Sequence, residues 1–222
     1  MEGVAERLAG VRDRIARAGG DWRSITVVAV TKGFGHDAVQ AGYEAGVRDF
    51  GENYAGVLQT RASRVGGPNL PFATAPRWHY LGAVQRNKVR RLAPWVSVWQ
   101  GVDRLAEGVE IDRHAGGAAV LVQVNVTGAP HRNGCSWEET PGLVQGLQDL
   151  GLDVRGLMCV GPRGDPRPDF RRLATLARRL GLAEVSMGMS ADLEVAVQEG
   201  STMVRVGTAL FGPRPGPGDL RR

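Results

Sequence analysis

Lysine is nearly absent from this sequence. Of 28 basic residues only two, Lys32 and Lys88, are lysines. The chain otherwise uses arginine, which is always protonated and cannot act as an amine nucleophile. A lysine kept against that bias is a candidate for amine chemistry. Cysteine is also scarce. Cys135 and Cys159 allow one disulfide at most, which excludes a disulfide scaffold, and neither has metal-ligand spacing with the four histidines, so no metal site is expected. No apolar run approaches the roughly 18 residues of a membrane span, so no membrane partner is expected. The N-terminus carries Glu2, Glu6, Arg7, Arg12, Asp13 and Arg14, with no apolar stretch after a basic start, and so does not read as a secretory signal. A cytoplasmic protein with reduced thiols is the expectation.

The net charge is +5, but the arginines are scattered: Arg7, Arg23, Arg61, Arg113, Arg155, Arg214. The densest basic cluster is Arg86, Lys88, Arg90 and Arg91, on one predicted helix. Nucleic-acid binding needs a clustered basic face with aromatics or a reading helix, so no nucleic-acid partner is expected.

What is present is alternation. Val4, Leu8, Val11 and Ile15 recur at helical spacing, predicting a helix over 2–18. Ile25–Thr31 is a continuous apolar, β-branched run, the pattern of a strand buried on both faces. A helix is predicted over His36–Ala45. Strand and helix then alternate: strand Arg48–Gly51 with helix 55–64, and strand Trp78–Leu81 with helix 86–93 after a Gly/Pro-rich loop over 66–76. Strand Val96–Val102 precedes a helix that Asp103 is placed to cap. Strand Ala118–Val126 precedes helix Ser136–Leu150, and strand Val154–Val160 precedes helix Asp169–Leu180. Strand Glu184–Met189 precedes helix Ala191–Glu199, and strand Met203–Val206 precedes a helical turn near Thr208–Phe211. Eight such units predict an α/β fold, a single (β/α)8 barrel domain over 1–222, with an extra N-terminal helix and a loose Pro/Gly-rich tail at 213–222. An open doubly wound sheet is the alternative. Against it, the first strand–helix turn, Lys32-Gly33-Phe34-Gly35, lacks the full G-x-G-x-x-G fingerprint.

Barrel enzymes place function at the C-terminal ends of strands. Lys32 is at such an end, on the face that alternation gives Val28 and Val30. It is either a structural lysine bonded to a carboxylate or a Schiff-base former whose pKa burial lowers. Arg205 sits inside an apolar strand and is predicted to face the barrel interior, in an ion pair or holding a ligand group. Gly207 and Thr208 precede the last helical turn, and Ser190 ends strand seven, where it could also cap a helix. Loops after strands seven and eight are a habitual phosphate site of this fold. Together these residues suggest a bound aldehyde phosphate. Gln123 and Asn125 share a face of strand five, forming a polar patch. His79 is read as a hydrogen-bonded core residue, and Met187 and Met189 as packing.

Several blocks resemble the pyridoxal phosphate homeostasis protein family, small barrels related to the N-terminal domain of alanine racemase. They are Val28-Ala29-Val30-Thr31-Lys32, Phe50-Gly51-Glu52-Asn53-Tyr54, Trp78-His79-Tyr80-Leu81-Gly82 with Gln85-Arg86-Asn87-Lys88, and Val102-Asp103-Arg104. Gln123-Val124-Asn125, Arg155-Gly156-Leu157-Met158, Ser186 to Ser190, and Gly200 to Gly212 continue the series in family order. The resemblance implies a (β/α)8 TIM barrel with pyridoxal 5′-phosphate (PLP) on Lys32 as an internal aldimine. It implies that Ser190, Gly207 and Thr208 hold the phosphate, that Arg205 faces the pyridine nitrogen, and that Asn53 and Met187 line the cofactor. It further implies a protein without established turnover that buffers the cofactor and hands it to apo PLP-dependent enzymes; a monomer is the expectation. The chain departs from the family where His131-Arg132-Asn133-Gly134 replaces a Lys-x-Gly, which removes a second amine from that loop. It departs again where Gly101 takes the place of a serine. A PLP-dependent amino-acid racemase is the rival reading, and a Schiff-base aldolase a third. Racemisation needs a second acid–base group. Tyr43, Tyr54 and Tyr80 are the only tyrosines, and no second domain is expected to bring another.

Overall fold

The computed structural model describes residues 3–65 and 74–214. Eight parallel strands close into a barrel in chain order: β1 (Thr26–Val30), β2 (Asp49–Glu52), β3 (Arg77–Tyr80), β4 (Val96–Val102), β5 (Ala119–Gln123), β6 (Asp153–Met158), β7 (Glu184–Ser186) and β8 (Met203–Val206). β8 returns to β1 with Val28 opposite Arg205. The open doubly wound alternative is thereby excluded, because a doubly wound sheet has two free edges and this one has none. Around the barrel run α1 (Val4–Arg17), α2 (Asp37–Glu44), α3 (Ala55–Val65), α4 (Arg86–Leu92), α5 (Leu105–His114), α6 (Thr140–Asp149), α7 (Arg167–Arg179), α8 (Leu193–Gln198) and α9 (Thr208–Phe211).

Alternation along the strands sorts the core into two parts. Outward residues such as Phe50, Trp78, Trp99, Val120 and Leu157 pack under the helices. Inward residues Val28, Val98, Ala119, Leu121, Met158 and Met203 form a small apolar cluster inside the barrel. His79, Gln100, Gln123, Ser186 and Arg205 are buried polar residues on these strands. Interior space is tight: a Cβ on Gly51 would lie 2.6 Å from Leu81 Cδ1.

The N-terminal helix has a direct bearing on the barrel mouth. Its apolar stripe, Val4, Leu8, Val11 and Ile15, is buried, and each such side chain contributes about 2 kcal/mol. From the same helix Arg14 reaches Glu194 (2.6 Å) and the Ser190 carbonyl (2.9 Å). Arg7 Nε donates to the Leu210 carbonyl (2.8 Å). Burial of the stripe thus anchors both loops that follow β7 and β8.

Three local expectations are corrected. Asp103 does not cap α5: its Oδ2 accepts the Gly134 N–H (2.9 Å), and its other oxygen pairs with Arg104. Ser190 is not a helix cap, because α8 begins at Leu193 after Asp192. Asn125 lies beyond β5, and its amide braces the following loop through the carbonyls of Ala129 and Arg132. Gln123 serves the same loop by donating to Asn133 O. The predicted start at Ser136 precedes α6 by one turn, yet it has the reciprocal bonds of a capping box: Ser136 N–H to Glu139 Oε2 and Glu139 N–H to Ser136 Oγ. The predicted loop over 66–76 and tail over 213–222 fall mostly outside the described residues.

Candidate functional site

Lys32 stands two residues past β1, and a buried cluster fixes its backbone. Arg61 on α3 donates to Glu52 Oε2 (2.8 Å), to Thr31 O (2.9 Å) and to Phe34 O (2.6 Å). Thr31 Oγ1 donates to the same Glu52 oxygen, and the other Glu52 oxygen accepts the Asn53 N–H. Backbone on both sides of Lys32 is therefore clamped. The nearby carboxylate is spent on Arg61, and among the described residues no carboxylate oxygen lies within 4.0 Å of the Lys32 amine. The structural reading of Lys32 as a carboxylate-bound lysine does not hold. Burial pushes its pKa below the usual lysine value, and the charges of Arg214 and Arg205 push the same way against an opposing Glu52. A larger fraction of its amine is consequently neutral than in an ordinary lysine.

Arg205 faces the interior, as alternation predicts, but forms no ion pair among the described residues. Its guanidinium donates to Ser186 O (2.8 Å), Ser186 Oγ (2.7 Å) and Cys159 O (2.6 Å). Burial lowers its pKa, countered by the Cys159 and Asp192 side chains; a guanidinium nevertheless stays charged. Cys159 itself is inert, its thiol pushed up to about 12 by burial.

The loops after β7 and β8 meet through side chains. Gly188, at φ +91°, lets the chain turn out of β7, and its carbonyl accepts the Arg205 N–H (2.9 Å). Ser190 Oγ accepts the Ala209 N–H (3.2 Å), which binds the first loop to the start of α9. That bond uses a lone pair of the serine and leaves its proton to donate.

These pieces enclose a cavity of about 250 Å³ at the C-terminal end of the barrel. Lys32, Asn53, Ser190, Arg205, Gly207 and Thr208 all line it. Of the sequence-predicted residues only Met187 stands apart: it is fully buried in the core under the helices. Met189, read from the sequence as packing, takes a place in the wall. Asn53 Oδ1 is buried without a hydrogen-bond partner, so the wall contains an unused acceptor. Three wall residues carry cations, Lys32, Arg205 and Arg214, and none carries a carboxylate. Lys88 lies on α4, away from this wall.

Sequence reasoning missed Arg214, which it assigned to a loose tail. Arg214 Cδ would lie 3.1 Å from a Cβ built on Gly33, which also has φ +78°. Glycine beside Lys32 therefore makes room for that arginine, and the Gly33 position is the signal that could have pointed to it. A larger depression of about 640 Å³ lies beside α5 and α6. Its charged side chains are already bonded: Asp103 to Gly134, Arg104 to Glu107, Arg132 to Gly161 O and Glu139 to Ser136. Uncommitted chemistry is concentrated at the barrel mouth.

The family described as "Alanine racemase, N-terminal domain" matches residues 7–215. A pyridoxal phosphate homeostasis protein of Pseudomonas aeruginosa is 39% identical over 225 residues, covering 96% of this chain and 95% of the relative. The human protein of that name is 34% identical over 240 residues, covering 96% and 85%. The solved structure of PipY from Synechococcus elongatus with PLP bound superposes with a TM-score of 0.80 at 31% identity, covering 94% of this chain and all of that one. With this barrel, this mouth and relatives matched over almost their whole length, the chain belongs to the pyridoxal phosphate homeostasis protein family.

Proposed function

We propose that this chain binds PLP at the barrel mouth, holds it covalently through Lys32, and buffers and delivers it to apo PLP-dependent enzymes, as a cytoplasmic monomer. The observation that carries the reading is the composition of the cavity wall: three cations, an unpartnered amide oxygen and two hydroxyls, with no acid. Such a wall suits a small anionic ligand, and about 250 Å³ suits a compact one.

When bound, PLP supplies an aldehyde for an amine to attack and a ring that can draw electrons from an attached group. Lys32 offers the amine, biased toward its neutral nucleophilic form by burial and by Arg214 and Arg205. Ser190, Gly207 and Thr208 receive the phosphate, with hydroxyl donors and a backbone free of a side chain. Asn53 shapes the wall, whereas Met187 packs in the core and does not line it. Arg205 meets the ring nitrogen. A permanently protonated guanidinium donates there and has no proton to give up, so the ring stays a weak electron sink. None of the three tyrosines lines the cavity, which leaves racemisation without a phenol at the reacting face. A PLP-binding protein similar over the whole barrel, PipY, supports the same reading.

Purified protein incubated with PLP is expected to be yellow. Borohydride reduction followed by peptide mapping is expected to find the cofactor's mass on Lys32, and Lys32→Ala to lose the visible band. A retained band in that variant, or a label on Lys88, refutes the lysine assignment. Delivery is tested by transfer from the loaded protein to an apoenzyme in the presence of a trap for free PLP. Deuterium exchange at the α-carbon of a single amino-acid enantiomer, faster than with free PLP, would favour the racemase instead.

A further inference from the structure

Arg205 is a buried cation that forms no ion pair among the described residues, Asp192 acting on it only electrostatically, and the barrel interior contains a hydrogen-bonded route to a distant carboxylate. Arg205 Nη1 donates to Ser186 Oγ (2.7 Å), and Ser186 Oγ donates to Gln100 Oε1 (2.7 Å). Gln100 Nε2 lies 2.7 Å from His79 Nδ1, and His79 Nε2 lies 3.0 Å from Asp49 Oδ1. Asp49 is held in turn by Arg77 through bonds of 2.8 and 2.6 Å. The chain runs β8, β7, β4, β3, β2, from the mouth to the opposite end of the barrel. Its members are 0 to 7% exposed: Ser186 and Gln100 0%, His79 1%, Arg205 5%, Asp49 7%.

The two ends determine its direction. A guanidinium only donates and a carboxylate only accepts. Ser186 receives from Arg205 and so spends its proton on the Gln100 oxygen. The Gln100 amide then donates to His79 Nδ1, and also to Met203 Sδ (3.0 Å). His79 thus accepts at Nδ1 and donates from Nε2 to Asp49. Every bond points from the cation to the anion, so each polarises the next along this buried chain. Glu184 on β7 also acts electrostatically on His79 and Asp49, with its own carboxyl pushed up by burial. Among the described residues it makes no hydrogen bond or ion pair with either, and Asp49 alone terminates the chain.

We propose that this one-way relay orients the Arg205 guanidinium, which makes His79 and Asp49 positioning residues for the contact with the cofactor's ring nitrogen. The proposal rests on the reading of the mouth as a PLP site, and its test separates the two. His79→Gln keeps one acceptor and one donor in place; His79→Phe removes both; Ser186→Ala cuts the chain at its near end with little change in volume. In cofactor-free protein, NMR exchange of the Arg205 guanidinium protons is expected to match wild type in His79→Gln and to be about tenfold faster in His79→Phe and Ser186→Ala. In binding titrations the two cut variants are expected to weaken PLP about tenfold. They should leave a carbocyclic analogue, with C–H in place of the ring nitrogen, within twofold of wild type. Ser186→Ala carries the test by itself if His79→Phe does not fold. Equal loss for PLP and the analogue, or unchanged exchange in the cut variants, overturns the relay. Failure of wild-type protein to bind PLP refutes the site reading, and the exchange measurement still decides the relay.

Discussion

At the mouth of the barrel, Lys32, Arg205 and Arg214 face one cavity with no carboxylate in its wall. At the opposite end, charge is matched: Arg77 and His79 hold Asp49, and Arg155 pairs with Asp153. Both ends are built from the same strands, one from their last residues and one from their first. Matched charge at one end ties β2 to β3. Unmatched cations at the other are costly to bury and persist where a ligand completes them. The difference supports the proposed reading of the mouth as the working end without reference to any relative.

The comparison is broken most completely by removing the amine. Lys32→Met is expected to abolish retention of PLP through gel filtration while keeping the fold, as read by circular dichroism. Its folded-state pKa is lowered, so the penalty for burying the charged amine is present at neutral pH and fades as pH rises toward the ordinary lysine value of about 10.4. Lys32→Met should thus melt at or above wild type at pH 7, and the gap should close at alkaline pH. A variant that melts well below wild type contradicts the view that this cation is unmatched.

Next in size is the buried pair behind the mouth. Arg61→Ala strands Glu52, which is fully buried, and is expected to cost about 3 kcal/mol in denaturant unfolding. A loss below about 1 kcal/mol would mean that the carboxylate is solvated or protonated instead.

The matched end is probed more gently by Asp49→Asn. Burial pushes the Asp49 carboxyl up, but hydrogen bonds from His79 and Arg77 outweigh it and hold the group below the usual range. The stability this confers is present above the unfolded carboxyl value of about 3.9 and is lost as pH falls through the folded one. Wild type should exceed Asp49→Asn by about 1 kcal/mol at pH 7, with the two converging in acid. A constant difference across pH would show that the charge is not what matters.

The smallest effect is expected from Arg214, which is exposed. Arg214→Ala should shift the pH midpoint of PLP capture upward, toward that of an ordinary lysine, and raised salt should erase the shift. A salt-independent shift would point to a direct contact instead.

Much of this was legible along the chain because strands and helices write their periods locally. The eight strands were anticipated within a few residues, and alternation correctly turned Arg205 inward and put Lys32 beside Val30. Asp103 and Ser190 misled because each has good local uses as a cap. Closure of the barrel instead offered Asp103 the Gly134 N–H, and Ser190 the Ala209 N–H. Gln100 and Arg214 were passed over for a related reason. A glutamine in an apolar strand and an arginine beyond the last helix have no local pattern to declare them.

By itself the sequence determined the alternation of elements, the inward face of each strand and the scarcity of amines that singled out Lys32, since all three depend on neighbours a few residues apart. The tertiary structure alone decided which strand ends meet. It brought β1, β7 and β8 together at the mouth, set Arg214 over Gly33, withdrew Met187 into the core, and lined up Ser186, Gln100 and His79 between Arg205 and Asp49. Those juxtapositions depend on the closing register of the barrel, which no short stretch of chain encodes.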